Sequence, residues 1–207
     1  VGKTHLMVGV GHALLQKNPS LKIIYSPMEQ FTNDLVHGIQ TKSMTQFRTK
    51  YRSCNLLLID DVQFLSGRDS TQEEFFHTFN ELQSKNIQII VTADKPPHEI
   101  QKLEPRLASR FQGGMMVDIQ LPDFDTRVAI LKAKCKEKND NIPESCLTLI
   151  AENMPTNGRE LEGKLMQIIQ TLKLTGKEFN EENVRLLLGK VNSINDHKID
   201  SKKVLSS

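Results

Sequence analysis

Asp60 and Asp61 are adjacent carboxylates that directly follow four large apolar residues, Leu56-Leu57-Leu58-Ile59. Neighbouring carboxylates repel each other, and burial raises that cost. A cation, a basic partner or water must offset it, so the pair suits metal binding and the handling of a water molecule. The alternative is a core strand running into an acidic turn. A second group stands at Gly2-Lys3-Thr4, directly before a helical pattern. Gly-Lys-Thr opening a helix is the second half of a P-loop, in which backbone N–H groups and the helix N-terminus cradle phosphates. There Lys3 reaches the β/γ-phosphates and the Thr4 hydroxyl holds Mg²⁺; the alternative is an ordinary exposed Lys-Thr pair. Thr92-Ala93-Asp94 places polar side chains just after another apolar run. Arg106 and Arg110, four apart, share one face of a helix. They are either solvated or stabilisers of phosphate charge.

These groups need elements to hold them. An unbroken apolar run suits a strand covered on both faces of a parallel sheet, and the carboxyl end of such a strand is where open α/β sheets bind ligands. Residues 21–26, 87–92 and 115–119 also read as strands. Between them lie helical patterns. After Thr4, Leu6, Met7, Val10, Ala13 and Leu14 fall on one face. Residues 28–40 carry Phe31, Leu35 and Ile39. Ser43 is placed to cap a short helix, with Gln46 at the capping-box position. That helix carries Arg48, Lys50 and Arg52, which suit either phosphates or a solvated face. Residues 72–83 carry Phe75, Phe76, Phe79 and Leu82. This alternation predicts a mostly parallel sheet.

Leu121-Pro122-Asp123 marks a boundary, and the pattern beyond it is wholly helical. Asp123 caps a helix to about residue 138. Further helices span about 143–153, from about 157, and about 181–188, forming a small bundle.

The chain has 207 residues, 38% hydrophobic, with a net charge of +2. That is enough for one domain or two small ones. No apolar run approaches a membrane span, and no signal-peptide pattern opens the chain. Cys54, Cys135 and Cys146 show no metal spacing and suit a reducing compartment. Val1-Gly2-Lys3-Thr4 leaves no room for a preceding strand, and the close is polar, so truncation at both ends is expected.

Taken in order, Gly2-Lys3-Thr4-His5-Leu6, Ile59-Asp60-Asp61-Val62-Gln63-Phe64, Gln72-Glu73-Glu74-Phe75-Phe76-His77-Thr78-Phe79-Asn80, Arg106-Leu107-Ala108-Ser109-Arg110-Phe111 and Arg159-Glu160-Leu161-Glu162-Gly163 resemble the AAA+ ATPases. Within these the chain is most similar to the DnaA family of bacterial chromosomal replication initiators, over nearly its whole length.

The resemblance implies an α/β fold: an AAA+ P-loop NTPase core with a parallel sheet, lacking the first strand and the start of the P-loop, then a small all-α lid. The implied divisions are 1–122 for the nucleotide-binding domain, 123–195 for the lid and 196–207 for a linker toward an absent C-terminal DNA-binding domain.

It also implies roles. Gly2, Lys3 and Thr4 match the end of the Walker A loop, with Thr4 and Asp60 on Mg²⁺. Asp61 matches the position that orients or activates the attacking water, and Asp94 matches sensor 1. Arg106 matches a protomer-contact arginine, Arg110 the arginine finger and Arg159 sensor 2. Val36 and Arg68 lie near single-strand DNA contacts. The implied activity is weak ATP hydrolysis used as an assembly switch. ATP–Mg²⁺ binding supports head-to-tail homo-oligomers on origin DNA and duplex opening, and slow hydrolysis ends the active state. Implied partners are the replicative helicase and its loader and, from the family, acidic phospholipids, in the cytoplasm. Two alternatives stay open: an AAA+ helicase loader or initiator-regulating ATPase, and a non-hydrolysing nucleotide-binding adaptor.

Overall fold

In a computed structural model of the chain, residues 2–189 are described. The end of the expected lid, at 190–195, and the expected linker at 196–207 lie outside them. The chain divides into two compact units, Gly2–Asp118 and the residues from Ile119 onward.

The first unit is built on three parallel strands, β1 (Ile23–Pro27), β2 (Leu56–Asp60) and β3 (Gln88–Val91), in the order β1-β2-β3. Ile23 lies opposite Leu56, and Leu56 opposite Gln88. All five residues of β2 are buried, as its unbroken apolar sequence requires. Alternate side chains point to opposite faces. Leu57 and Ile59 join a core with Phe31, Tyr51 and Phe75, while Leu56 and Leu58 meet Met7 on the other side.

Helices α1 (Lys3–Lys17), α2 (Met28–Gln40), α3 (Met44–Arg52), α4 (Asp69–Ser84) and α5 (Pro105–Gln112) flank these strands along the chain. The face of α1 differs from the expected one. Met7 and Gly11 are its buried residues, and Leu6, Val10 and Leu14 are exposed. A helix turns about 100° per residue, so the stripe 7–11 faces the sheet while 6–10–14 lies beside it. Contact is close at Gly11, where an added Cβ would stand 3.1 Å from Leu58 Cδ1. Ile39 at the end of α2 is likewise exposed, beyond the buried Phe31 and Leu35.

Three local expectations are corrected. Residues 115–119 form no strand: Met115, Met116 and Val117 are exposed, and no described strand takes up their backbone groups. A run of strand-forming residues becomes a strand only against a partner edge. Ser43 precedes α3 but makes no side-chain cap, because its hydroxyl pairs with that of Thr41 at 2.7 Å. The cations of α3 are neither free nor simply solvated. Lys50 Nζ pairs with Asp34 at 2.5 Å. Arg48 makes two 3.0 Å hydrogen bonds to Glu74. Arg52 also binds Glu74, together with Thr78 at 3.1 Å and Glu81 at 2.7 Å, so the pair of arginines fastens α3 to α4.

Glu74 is the hub of that joint. Burial raises its carboxyl pKa, but the hydrogen bonds and charges of Arg48 and Arg52 outweigh this and hold it below the usual carboxylate range. A depressed folded value means that the stabilisation is present above the unfolded pKa and is lost as pH falls through the folded one. Glu74→Gln is expected to cost roughly 2–3 kcal/mol at pH 7, since it takes the charged partner from the half-exposed Arg48 and leaves the buried end of Arg52 with only Glu81 and Thr78. Denaturant unfolding measured at pH 7 and again in acid, below the folded pKa of Glu74, should show the difference shrinking. A constant difference would mean the charge of Glu74 plays no part.

The second unit is helical. Its α6 (Phe124–Lys138), α7 (Glu144–Asn153) and α8 (Gly158–Thr175), with a helix over residues 181–189, share a core of Leu131, Ile150, Leu161, Leu165, Ile169 and Val184. Asp123 caps α6 by accepting the Thr126 N–H at 2.8 Å, as expected, and Asn157 caps α8 through Glu160 N–H at 2.9 Å. The cysteines are buried and unpaired, which suits packing. No helix among the described residues is long and apolar enough to cross a membrane.

Candidate functional site

Asp60 ends β2 and is 4% exposed. Three hydroxyls converge on its carboxylate. Oδ2 accepts from Thr4 Oγ1 at 2.6 Å and from the Tyr25 phenol at 3.3 Å, and Oδ1 accepts from Thr92 Oγ1. The donors come from the first turn of α1, from β1 and from the residue after β3. Burial first, and then the charge and hydrogen bond of Asp60, push the Tyr25 phenol above its ordinary pKa.

Asp61 turns the chain out of the strand. Its backbone is left-handed, at φ 57° and ψ 54°, and it precedes a 3₁₀ turn over Val62–Leu65. Aspartate enters that region more readily than bulkier residues. Its N–H donates to Thr92 Oγ1 at 3.0 Å, and its carboxylate accepts from the Gln63 amide at 3.0 Å. Gln63 Oε1 in turn accepts the Asp94 N–H at 3.2 Å. The ends of β2 and β3 are thereby laced together around the two acids.

Gly2 precedes α1 at φ 83°, a conformation that glycine reaches without strain. The first N–H groups of the 15-residue α1 have no partner inside the helix, and the helix dipole adds to their positive potential. With Lys3 at the first position, this terminus carries the positive potential and free N–H groups that suit an anion such as phosphate. Thr4, on the same turn, touches Asp60. Among the described residues, no group of three or more His, Cys, Asp or Glu is arranged to hold a metal ion. The Thr4 hydroxyl and the Asp60 carboxylate instead form a pair of hard oxygen donors. That set fits Mg²⁺, which commonly takes one or two protein oxygens and completes its shell with water and phosphate.

The remaining sequence-selected residues lie elsewhere. Arg106 and Arg110 are both exposed on α5. Arg106 pairs with Glu104 and stacks its guanidinium 4.5 Å from the centre of the Phe76 ring. Arg110 donates one hydrogen bond to Gln83 at 3.1 Å. Val36 is exposed on α2, and Arg68 is exposed just before α4. Arg159 lies in the first turn of α8, in the second unit. Its two neighbouring glutamates are engaged otherwise, Glu160 by Thr156 and Glu162 by Lys134 and Lys138.

Sequence reading passed over Tyr25, Gln63 and the bridging part played by Thr92. For Thr92 the signal was present: a hydroxyl directly after the strand beside β2. Tyr25 read simply as a strand-forming aromatic. Gln63 gave no signal, because an amide after two acids has no pattern of its own.

A family model of the bacterial DnaA ATPase domain matches residues 1–118. Domain III of the Thermotoga maritima replication initiation protein DnaA is 38% identical, with a TM-score of 0.83, over 91% of this chain and 79% of that one. AMPPCP-bound DnaA from Aquifex aeolicus is 41% identical with a TM-score of 0.69, over 84% of this chain and 53% of that one. A replication initiator DnaA bound to AMPPCP and single-stranded DNA is 38% identical with a TM-score of 0.71, over 85% and 55%. The chain thus spans about half the length of those two longer relatives. The family match covers the whole first unit, in which a parallel sheet ends in paired acids beside a Gly-Lys-Thr helix start, and the chain belongs to the bacterial DnaA ATPase domain family.

Proposed function

We propose that this chain is the ATP-binding core of a chromosomal replication initiator. The observation that carries the reading is the 2.6 Å hydrogen bond from Thr4 to Asp60, which joins a phosphate-type helix terminus to the acids at the strand end. Gly2, Lys3 and the N–H groups of α1 bind the phosphates. Thr4 and Asp60 hold Mg²⁺, which when bound draws charge from the phosphate oxygens. Asp61 orients the attacking water, and Asp94 takes the sensor 1 role that the family gives this position. Arg159 takes the sensor 2 role that the family gives this position. ATP hydrolysis is slow and serves as a switch.

ATP-bound protomers assemble head-to-tail on origin DNA, with Arg106 and Arg110 at the protomer contact. Val36 and Arg68 touch single-stranded DNA, and a similar DnaA was solved with such a strand bound. The replicative helicase, its loader and acidic phospholipids complete the partners of the whole cytoplasmic protein. Head-to-tail assembly separates this reading from an adaptor that uses nucleotide only to hold its shape.

Lys3→Ala in the full-length protein tests the phosphate site. ATP affinity by calorimetry is expected to fall about 10- to 100-fold, the worth of one charge-assisted contact, with the melting temperature of the nucleotide-free protein unchanged. Unaltered affinity would remove Lys3 and the phosphate site from the proposal.

A further inference from the structure

We infer that Thr92 is a positioning residue for the paired acids, setting the orientation of Asp61 through its hydroxyl; this rests on the reading that the site hydrolyses ATP. Thr92 is buried at 9% exposure, one residue past β3. Its backbone N–H donates to Ile59 O at 3.0 Å, and its carbonyl accepts the Val62 N–H at 2.9 Å. Those bonds bracket Asp60 and Asp61 on either side. Between them the Thr92 hydroxyl does two things: it donates to Asp60 Oδ1 and accepts the Asp61 N–H at 3.0 Å. A hydroxyl has one proton and two lone pairs, so both roles fit one atom.

The consequence lies in the Asp61 backbone. Its positive φ is unfavourable for a residue with a side chain and persists only where the surroundings fix it. The hydrogen bond to Thr92 fixes it from the backbone side. The Gln63 amide, itself anchored to the loop at Asp94, fixes the carboxylate. Without the Thr92 hydroxyl the Asp61 N–H loses its protein partner in a half-buried turn, and the residue relaxes toward a commoner φ. The carboxylate then swings off its aim, while Gly2, Lys3 and Thr4, which hold the phosphates, are untouched. Losing the hydroxyl also takes one donor from Asp60, whose Oδ2 keeps the Thr4 and Tyr25 hydroxyls, so the larger effect falls on turnover.

Thr92→Val keeps the shape and removes the hydroxyl; Thr92→Ser keeps the hydroxyl and removes the methyl. In the full-length protein, Thr92→Val is expected to slow single-turnover hydrolysis about 10- to 100-fold, as misaimed catalytic groups do, with ATP affinity within about twofold. Thr92→Ser stays near wild type. Amide hydrogen exchange at Asp61, read by NMR, rises in Thr92→Val and not in Thr92→Ser, whatever the protein does with ATP. Three results overturn the inference: Thr92→Val turning over at the wild-type rate while Asp61→Asn is slow, Ser failing as badly as Val, or affinity and rate falling together. If the wild type itself does not hydrolyse ATP, the hydrolysis reading fails, and the exchange result still reports whether Thr92 holds the turn.

Discussion

Asp61→Asn in the full-length protein is expected to leave ATP bound at wild-type affinity and to slow its hydrolysis by about 100- to 1,000-fold, within the range for losing a positioned acid–base group. Asparagine is the informative replacement. It tolerates the left-handed backbone that Asp61 adopts, and its Oδ1 still accepts the Gln63 amide. Only the charge is removed. Alanine would add backbone relaxation to the loss and blur the result. Asp61 makes no bond to Thr4, whereas Asp60 does, so the two acids separate by experiment. Asp60→Asn weakens the oxygen pair proposed for Mg²⁺ and so costs affinity for the metal–nucleotide complex. Single-turnover kinetics with calorimetric binding checks the split. Wild-type turnover by Asp61→Asn, or loss of binding along with it, would dismiss Asp61 as the group that handles water.

The residues differ in how openly the sequence declared them. Leu56–Asp60 was legible because burial on both faces of a strand leaves no polar alternation, and few arrangements besides a doubly covered strand produce so short an unbroken apolar run. The helical second unit was legible through periodicity and the cap at Asp123. Other features depend on contacts that a single stretch does not encode. On α1 the expected face held Met7, which is buried, but also Leu6, Val10 and Leu14, whose hydrophobicity widened it past the stripe that meets the sheet. Yet Gly11 is what lets the helix come within 3.1 Å of a Leu58 methyl. Residues 115–119 have strand composition but find no described partner edge. The arginines of α3 looked like a ligand surface or a wet face because Glu74, the residue that claims them, lies over twenty positions away. Thr92 was visible as a polar strand end, but only pairing in space puts its hydroxyl between the Asp60 carboxylate and the Asp61 N–H. Long-range polar bonds are the part of a site that local pattern conveys least.

Arg110→Ala should reduce ATP-dependent assembly of the full-length protein and lower turnover in the assembled state by roughly three decades, the lower end for an arginine supplied in trans. ATP affinity of the free protomer should stay unchanged. Arg110 is suited to this work in a way that Arg106 is not. Arg106 is committed within its own protomer, paired to Glu104 and stacked on Phe76. Arg110 is exposed and held by one hydrogen bond to the uncharged amide of Gln83, a weaker acceptor than a phosphate oxygen. An interaction made with ATP but not ADP across an interface gives ATP a higher affinity for the assembled state, and that difference is what drives a switch. Mixing provides the sharper test. A head-to-tail contact joins two different surfaces, so each site combines Asp61 from one protomer with Arg110 from its neighbour. Arg110→Ala and Asp61→Asn are each inactive alone. In an equal mixture, half the sites retain Asp61, and half of those face an intact arginine. Turnover should therefore return to roughly a quarter of wild type on a heterologous contact. If Arg110 acted on its own protomer's nucleotide, no mixture would recover activity, because neither variant carries both groups.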